Sequence, residues 1–349
     1  SDYRRMLQMA DLDAVSIATP PAYHYEMAMA ALEARKHIIC EKPFAMNSKQ
    51  AREMWKSAEA SGLTTMVAHE FRFAPSRAYI KELASGTQEI SAGLFAQMKT
   101  DQDISSLDMR DAFFDKVYEI ASSDKDVVFL TDDMDAYSLR KFKADMPEQF
   151  INIGVAEQNM INVSAGLAMA GKIVFTYGIA PFVTMRCFEQ IKVNLCSMNL
   201  GVAIVGVGAG FSFGFDGPTH HGIHDLSVMR TLPEITILNP SDALSASASA
   251  EIFYETKTPT YIRLDKGTYP SLGEPTNSFF DGFRIVKPLQ KVNIVTTGFM
   301  TSKSLEVVQF FESKGVKIGL IDVYRIKPIP YEFADEVLNK SQKVFVIEE

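Results

Sequence analysis

The chain has 349 residues, of which 47% are hydrophobic and 22% charged, and its formal net charge is −8 at pH 7. This composition fits a globular protein with room for two or three domains, and the acidic balance argues against a surface that binds nucleic acid or an anionic membrane. The three cysteines show no ligand spacing, their odd number argues against a secreted disulfide framework, and no apolar run reaches the length of a membrane span, so we expect a cytoplasmic protein.

Residues 1–86 alternate short apolar runs with longer amphipathic segments. The short runs predict buried strands, and the segments between them predict helices. In chain order we predict strand Ala14–Ala18, helix Tyr23–Arg35, strand His37–Cys40, a helix capped by Ser48 and ending at Ser61, and strand Thr64–Val67. This alternation predicts a parallel sheet of the doubly wound α/β kind.

Three short motifs follow these predicted strands: Ser16-Ile-Ala-Thr-Pro-Pro, Cys40-Glu-Lys-Pro and His69-Glu-Phe-Arg-Phe-Ala-Pro. Together they resemble the sugar oxidoreductases of the Gfo/Idh/MocA family. The resemblance implies nucleotide binding, with NAD(P) as the cofactor, at Thr19, Pro20, Glu41 and Lys42, and a substrate contact for Lys42. The Gly-rich pyrophosphate turn of that family is absent. We therefore expect a partial Rossmann segment, in which Lys42 can equally be a surface residue before a proline turn.

The next stretch, residues 87–108, has no sustained period and predicts a linker. An amphipathic helix then begins at Met109, and strand Asp126–Thr131 follows it. This strand ends at Asp132, Asp133 and Asp135. Three acids at a strand end can bind Mg²⁺ or form a solvated loop, and we assign no metal site to them.

The stretch Phe150–Gly171 contains a single acid, Glu157, where a short apolar run gives way to a helix rich in Ala, Val and Met. A carboxylate among such neighbours costs several kcal/mol unless it is protonated or paired. A structural alternative is an acid that faces the positive end of the helix dipole.

Strands and helices alternate again in the second half of the chain. We predict strand Lys172–Tyr177, helix Met185–Met198, strand Gly201–Gly206, a helix from Asp225, strand Ile235–Leu238, a helix after Ser241 and strand Thr260–Leu264.

A glycine-rich loop, Gly214–Gly222, carries neighbouring histidines at His220 and His221. Neighbouring histidines can ligate zinc or act as acid–base groups. The spacing matches no structural zinc pattern, so we predict a catalytic loop.

Four stretches in this region resemble the pyrimidine-binding domain of transketolases: Phe150–Met160, Met185–Ile191, Phe215–His220 and Thr258–Leu264. The segments Lys291–Gly298 and Ile321–Ile329 resemble the start of that family's carboxy-terminal domain, and the chain is expected to be truncated at both ends. The resemblance implies three α/β units with parallel sheets: a partial Rossmann segment at residues 1–86, a pyrimidine-binding domain at 109–270, and, after a linker at 271–289, a partial carboxy-terminal domain at 290–349.

The resemblance also implies roles for individual residues around thiamine diphosphate. Glu157 would hydrogen-bond the ring nitrogen of the cofactor's aminopyrimidine and so take part in catalysis, and Phe182 would stack on that ring. Asp133 would line the cofactor site. His220 would act beside the reactive carbon, and Asp216 would bind a sugar hydroxyl.

Three positions depart from the transketolase pattern. His221 stands where Gln is usual, Gly208 replaces a His that binds phosphate, and Lys266 replaces an Arg, which keeps the charge but loses the bidentate geometry. His221 and Lys266 remain candidate substrate-binding residues, and a modified sugar or sugar phosphate is the expected substrate.

The Gly-Asp-Gly…Asn stretch that binds Mg²⁺ and diphosphate in the family is missing. We therefore expect a partner subunit that supplies it, in a dimer or heterotetramer. The function implied is transfer of a two-carbon ketol unit between sugars. The alternatives are an NAD(P)-dependent sugar oxidoreductase fused to this half-site, and an inactive fusion fragment.

Overall fold

The computed structural model of the protein describes residues 3–17, 19–41, 44–68, 108–275, 278–330 and 333–348. Lys42, the motif that begins at His69 and residues 87–107 of the predicted linker lie outside the described residues. The chain divides into two compact units, residues 1–91 and 92–349, each considered by itself.

The first unit contains a three-stranded parallel sheet in the order β1–β2–β3. Its elements are α1 (Tyr3–Leu7), β1 (Ala14–Ile17), α2 (His24–Glu33), β2 (His37–Glu41), α3 (Ser48–Ser61) and β3 (Thr65–Ala68). Alternate residues of β1 and β2, among them Val15, Ile17 and Cys40, are buried against Ala28 and Met54 of the helices.

The cap of α3 differs from the prediction. The side chain of Asn47 accepts a 3.0 Å hydrogen bond from the backbone N–H of Gln50, while Ser48 is the first helical residue. Asn47 has extended backbone dihedral angles, which let its short side chain reach the free N–H groups of the first turn. The prediction that Ser48 caps this helix is therefore wrong by one residue.

The second unit is built on two sheets. Its strands are β4 (Val127–Thr131), β5 (Phe150–Asn152), β6 (Ile173–Ile179), β7 (Val202–Val207), β8 (Thr236–Leu238), β9 (Thr260–Leu264), β10 (Arg284–Lys287), β11 (Val292–Thr296), β12 (Gly319–Asp322), β13 (Arg325–Lys327) and β14 (Lys343–Ile347). The large sheet has the order β13–β8–β9–β7–β6–β4–β5, and only β13 pairs antiparallel to its neighbour.

Helices cover both faces of the large sheet. The helices of this unit are α4 (Met109–Ser123), α5 (Tyr137–Asp145), α6 (Glu157–Met169), α7 (Ala180–Val183), α8 (Phe188–Gln190), α9 (Asp225–Arg230), α10 (Ala243–Thr256) and α11 (Phe299–Ser313). Helices α4 and α10 share one hydrophobic core with one face, and α6 shares another core with the opposite face. Burial on both faces explains why β7 is apolar along its whole length.

The single helix predicted over residues 185–198 is wrong. The short α8 runs into wide π-helical turns over Ile191–Cys196, in which the N–H of Ser197 donates to the carbonyl of Lys192. The wide turns bury Ile191, Leu195 and Cys196 together. The apolar spacing of the sequence does not distinguish this arrangement from an α-helix.

The smaller sheet has the order β10–β12–β11–β14, with β10 antiparallel and the others parallel. The chain returns through β13 to the edge of the large sheet. The predicted α/β class with parallel sheets is confirmed. In the part of the chain that the structure describes, no helix is long and apolar enough to cross a bilayer.

Candidate active site

The predicted site residues of the second unit gather at the carboxyl edge of the large sheet. Strands β4, β6 and β7 are parallel neighbours, so the segments that begin at Asp132, Ala180 and Gly208 emerge side by side. Helix α6 starts at the same edge with Glu157 after the end of β5. Open α/β sheets bind their ligands at this edge.

Glu157 is a buried acid at this edge, with 3% of its surface exposed. The Nη1 atom of Arg186 donates a 2.7 Å hydrogen bond to its Oε1 atom, while the Arg186 side chain is 43% exposed. The arginine and the helix N-terminus together offset the cost of burying the carboxylate. Arg186 belongs to this cluster of side chains, and the sequence motifs did not predict it. The available signal was that a buried acid needs a cation, and Arg186 is the only arginine between Arg140 and Arg230.

Phe182 and His220 pack against each other beside this ion pair. Their ring centroids lie 5.0 Å apart in an edge-to-face arrangement. The guanidinium carbon of Arg186 lies 4.1 Å from the centroid of the Phe182 ring. The structure therefore brings together three of the predicted site residues, Glu157, Phe182 and His220.

Phe213 and Lys266 extend this group. The Phe213 ring centroid lies 6.4 Å from that of His220, and the Nζ atom of Lys266 lies 5.4 Å from the Phe213 centroid. We call the resulting line of side chains the site row. It consists of Glu157, Arg186, Phe182, His220, Phe213 and Lys266.

Asp265 holds the Phe213 and Lys266 segments in register. Its buried carboxylate accepts hydrogen bonds from the hydroxyl of Ser212, from the backbone N–H of Lys266 at 2.7 Å and from the hydroxyl of Tyr269 at 2.5 Å. Several donors to one carboxylate make a rigid support. The Lys266 side chain itself is exposed.

Asp216 and His221 lie on the same loop but differ in their surroundings. Asp216 is half-buried, and its Oδ1 atom has no hydrogen-bond partner among the described residues. His221 packs edge-to-face on Phe211 at 4.9 Å, and its Nε2 atom lies 3.4 Å from the carbonyl of Gly214. His221 thus contacts its own loop, whereas the Oδ1 atom of Asp216 is a buried acceptor without a partner among the described residues.

Two acids follow β4 with opposite exposure. Asp133 is exposed, has φ of 70° and accepts a 3.0 Å hydrogen bond from Asn152. Asp132 is buried, its carboxylate lies against Gly178, and its Oδ1 atom has no partner among the described residues. Burial and the nearby Glu157 carboxylate raise the pKa of Asp132 to about 7. The Asp132 carboxyl group therefore titrates near neutral pH.

The third acid of this loop, Asp135, pairs with Arg140 at 2.8 Å. Among the described residues, no three His, Cys, Asp or Glu side chains converge as a metal site would require.

In the first unit, the structure places Thr19 and Pro20 just after β1. The Thr19 hydroxyl donates to the sulfur of Met27 at 3.6 Å, and its carbonyl contacts Nε2 of His24 at 2.7 Å. Pro20 is exposed, and Glu41 is the last residue of β2, which pairs with β1. The backbone thus brings three of the four predicted nucleotide-binding positions to one sheet edge, and the fourth, Lys42, lies outside the described residues.

Comparison with family models divides the chain into three matches. Residues 105–271 match the transketolase pyrimidine binding domain, and residues 282–349 match the transketolase C-terminal domain. Residues 1–69 match the oxidoreductase family with an NAD-binding Rossmann fold.

Individual relatives agree with the first two matches. The chain is 31% identical to an apulose-4-phosphate transketolase subunit from Phocaeicola vulgatus, over 69% of this chain and 78% of that protein. It is 31% identical to the 6-deoxy-6-sulfo-D-fructose transketolase subunit SqwH from Clostridium sp., over 67% of this chain and 73% of that protein. A solved structure described as a split gene transketolase, inactive beta4 tetramer, aligns with a TM-score of 0.63 and 32% identity, covering 70% of this chain and 80% of that one.

Proposed function

The chain belongs to the transketolase family, and from this premise we propose that it supplies the pyrimidine-binding half of a thiamine-diphosphate-dependent site. The reaction proposed is transfer of a two-carbon ketol unit from one sugar to another. The relatives that are named as single subunits of a transketolase support a split enzyme. In such an enzyme this chain works with a separate subunit that binds the diphosphate.

The observation that carries the proposal is the environment of Glu157. A carboxylate that is 3% exposed, at the ligand-binding edge of the sheet and bridged by Arg186 to the Phe182 ring, suits an aminopyrimidine. Such a ring needs a flat apolar surface on its face and a carboxyl group at its ring nitrogen. Phe182 and Glu157 offer these two features, so the residues present fit the cofactor.

When bound, thiamine diphosphate supplies a nucleophilic carbon and an electron sink. The chain's own residues bind, orient and exchange protons around it. Glu157 holds a proton at the aminopyrimidine ring nitrogen, and Phe182 fixes the plane of the ring. Asp133 lines the cofactor site. The Mg²⁺ and diphosphate ligands are proposed to come mainly from the partner subunit.

Substrate binding is proposed for the other end of the site row. His220 can donate to or accept from sugar hydroxyls, because imidazole does both near neutral pH. Asp216 is proposed to accept from a sugar hydroxyl, since its buried Oδ1 atom has no partner among the described residues, and His221 lies on the same loop. Lys266 is an exposed cation that attracts an anionic group as a point charge. A sugar with a phosphate or another anionic end fits this arrangement.

Calorimetry tests this function directly. Thiamine diphosphate and Mg²⁺ are titrated into the chain alone and into its mixture with a diphosphate-binding transketolase subunit. We expect binding in the mixture, and we expect Glu157→Gln to lower the rate of ketol transfer at least about a hundredfold. Glu189→Gln, which removes an exposed acid on a nearby segment, is the control. Absence of binding in the mixture, or near-normal transfer by Glu157→Gln, overturns the proposal.

The match of residues 1–69 to an NAD-binding family favours a second candidate, nucleotide binding by the first unit. Thr19 and Pro20 lie at the appropriate sheet edge for it. Fluorescence titration with NADH and NADPH tests it, and Thr19→Val is the variant expected to weaken binding. If neither nucleotide binds the intact chain, the front unit has no oxidoreductase role.

A further inference from the structure

Arg186 makes both of the contacts that the proposed function gives to the cofactor's aminopyrimidine. Its guanidinium donates 2.7 Å from the Glu157 carboxylate and stacks 4.1 Å from the Phe182 ring centroid. A guanidinium and an aminopyrimidine that shares a proton with Glu157 at its ring nitrogen are both planar, present an N–H group to the carboxylate and stack on aromatic faces. The same two protein groups therefore recognise either one.

We propose that Arg186 is a placeholder for the aminopyrimidine: it occupies the pyrimidine site of the cofactor-free chain, and the cofactor displaces it. The inference rests on the proposed function. It adds that a side chain of the same protein, Arg186, competes with the cofactor for the pyrimidine site. The placeholder keeps the buried Glu157 carboxylate paired until the ligand arrives. Without it, an unpaired buried carboxylate would destabilise the fold.

The surroundings of Arg186 allow the exchange. The backbone is anchored, because the carbonyl of Arg186 accepts a 3.0 Å hydrogen bond from Gln158 and its N–H donates to the carbonyl of Pro181 at 3.3 Å. The side chain is 43% exposed, so it can leave by rotation about its own bonds. Glu157 is 3% exposed and begins α6, so it stays in place. Displacement therefore moves one side chain and no backbone.

The test uses the hydroxymethyl aminopyrimidine fragment of thiamine, since this probe needs no diphosphate-binding partner. Its affinity is measured by calorimetry for the intact wild-type chain, for Arg186→Met and for Arg186→Lys. Removing an internal competitor at a half-exposed position should tighten binding of the fragment to Arg186→Met about three- to tenfold. The control is Lys172→Met, which removes a cation paired with Asp126 at the opposite edge of the sheet and should leave the affinity unchanged.

Thermal unfolding of the same variants, without ligand, gives a second readout. Arg186→Met should unfold at a lower temperature than the wild type, because Glu157 loses its partner. Guanidinium chloride at low millimolar concentration should restore part of the loss in Arg186→Met by filling the vacated position. Arg186→Lys keeps the charge, so it should be more stable than Arg186→Met and should gain nothing from guanidinium.

The outcomes separate this inference from the proposed function. If the wild type binds the fragment and Arg186→Met binds it equally or more weakly, Arg186 is a binding residue or a bystander and the placeholder is overturned. If neither form binds the fragment, the placeholder is overturned, whereas the pyrimidine half-site is judged by binding of thiamine diphosphate in the mixture with the diphosphate-binding subunit. Tighter binding by Arg186→Met together with guanidinium rescue supports both.

Discussion

The ring of Phe213 fills the space into which a side chain at Gly208 would project. A Cβ atom built on Gly208 overlaps two carbons of that ring, and the glycine has φ of 98°. The position at which transketolases usually carry a phosphate-binding histidine is thus closed in this chain. The Phe213 ring lies between His220 and Lys266. Lys266 is therefore the cation at the end of the site row that lies beyond Phe213.

This packing predicts a cost for any side chain at position 208. Gly208→Ala should lower the free energy of unfolding by about 1–3 kcal/mol, because the methyl group meets Phe213 and the backbone conformation suits glycine. Urea unfolding of the chain measures the change. In a Phe213→Ala background, Gly208→Ala should lower the free energy of unfolding by less, because the steric contact with the ring is gone and only the backbone cost remains.

Gly214→Ala is the matched control for this experiment, since nothing lies within 4 Å of a Cβ at that position. It should change the free energy of unfolding by less than about 1 kcal/mol. An equal loss at both glycines would mean that the Phe213 contact is unimportant.

Asp132 predicts a pH dependence of stability. Its pKa is about 7 in the folded chain, whereas an unfolded Asp has a pKa near 3.8, so the folded state holds the proton more tightly. The associated stability is complete below about pH 4 and is lost as the pH rises through about 7. The Asn side chain of Asp132→Asn stays neutral at every pH. Above pH 7 the free energy of unfolding of this variant should exceed that of the wild type by on the order of 2–4 kcal/mol.

Urea unfolding of wild type and Asp132→Asn between about pH 4 and pH 8.5 measures this difference. Asp133→Asn, a change at the exposed neighbour, should give a curve parallel to that of the wild type. A constant gap between Asp132→Asn and the wild type at every pH would show that Asp132 does not titrate in this range.

The placement of the candidate site residues was predictable where a short motif fixes both the residue and its position. Glu157 lies at a strand-to-helix junction and His220 in a glycine-rich loop, and parallel strands bring both to one edge. Arg186 was not predictable in the same way, because its pairing with Glu157 depends on how α6 and α7 pack. The steric conflict between a side chain at position 208 and the Phe213 ring depends on the positive φ of this residue. The sequence suggests that φ only by placing a glycine there.

Arg284 predicts a large stability effect where the two sheets of the second unit meet. Its guanidinium is buried between Asp322 at 2.9 Å and Asp242 at 3.1 Å. Arg284→Met should lower the free energy of unfolding by about 3–5 kcal/mol, since it leaves two buried carboxylates without a cation. The measurement is urea unfolding at neutral pH.

Lys287→Met, on the same strand, removes an outward pair with Glu312 at 3.0 Å and serves as its control. Pairs of this kind contribute about 1 kcal/mol or less. Comparable losses for Arg284→Met and Lys287→Met would contradict a specific role for the buried cluster.

His220→Ala predicts a separation of turnover from cofactor binding. His220 packs edge-to-face with Phe182 but contacts neither Glu157 nor Arg186 in the described contacts, so the affinity for thiamine diphosphate should change by less than about threefold. Turnover should fall about a hundredfold or more, because the group that hydrogen-bonds the reacting sugar is lost. Calorimetry and steady-state kinetics with the diphosphate-binding subunit measure the two effects.

His224→Ala, at an exposed position just beyond the loop, is the control and should leave both unchanged. An equal fall in affinity and turnover would instead assign His220 to holding Phe182 in its stacking position.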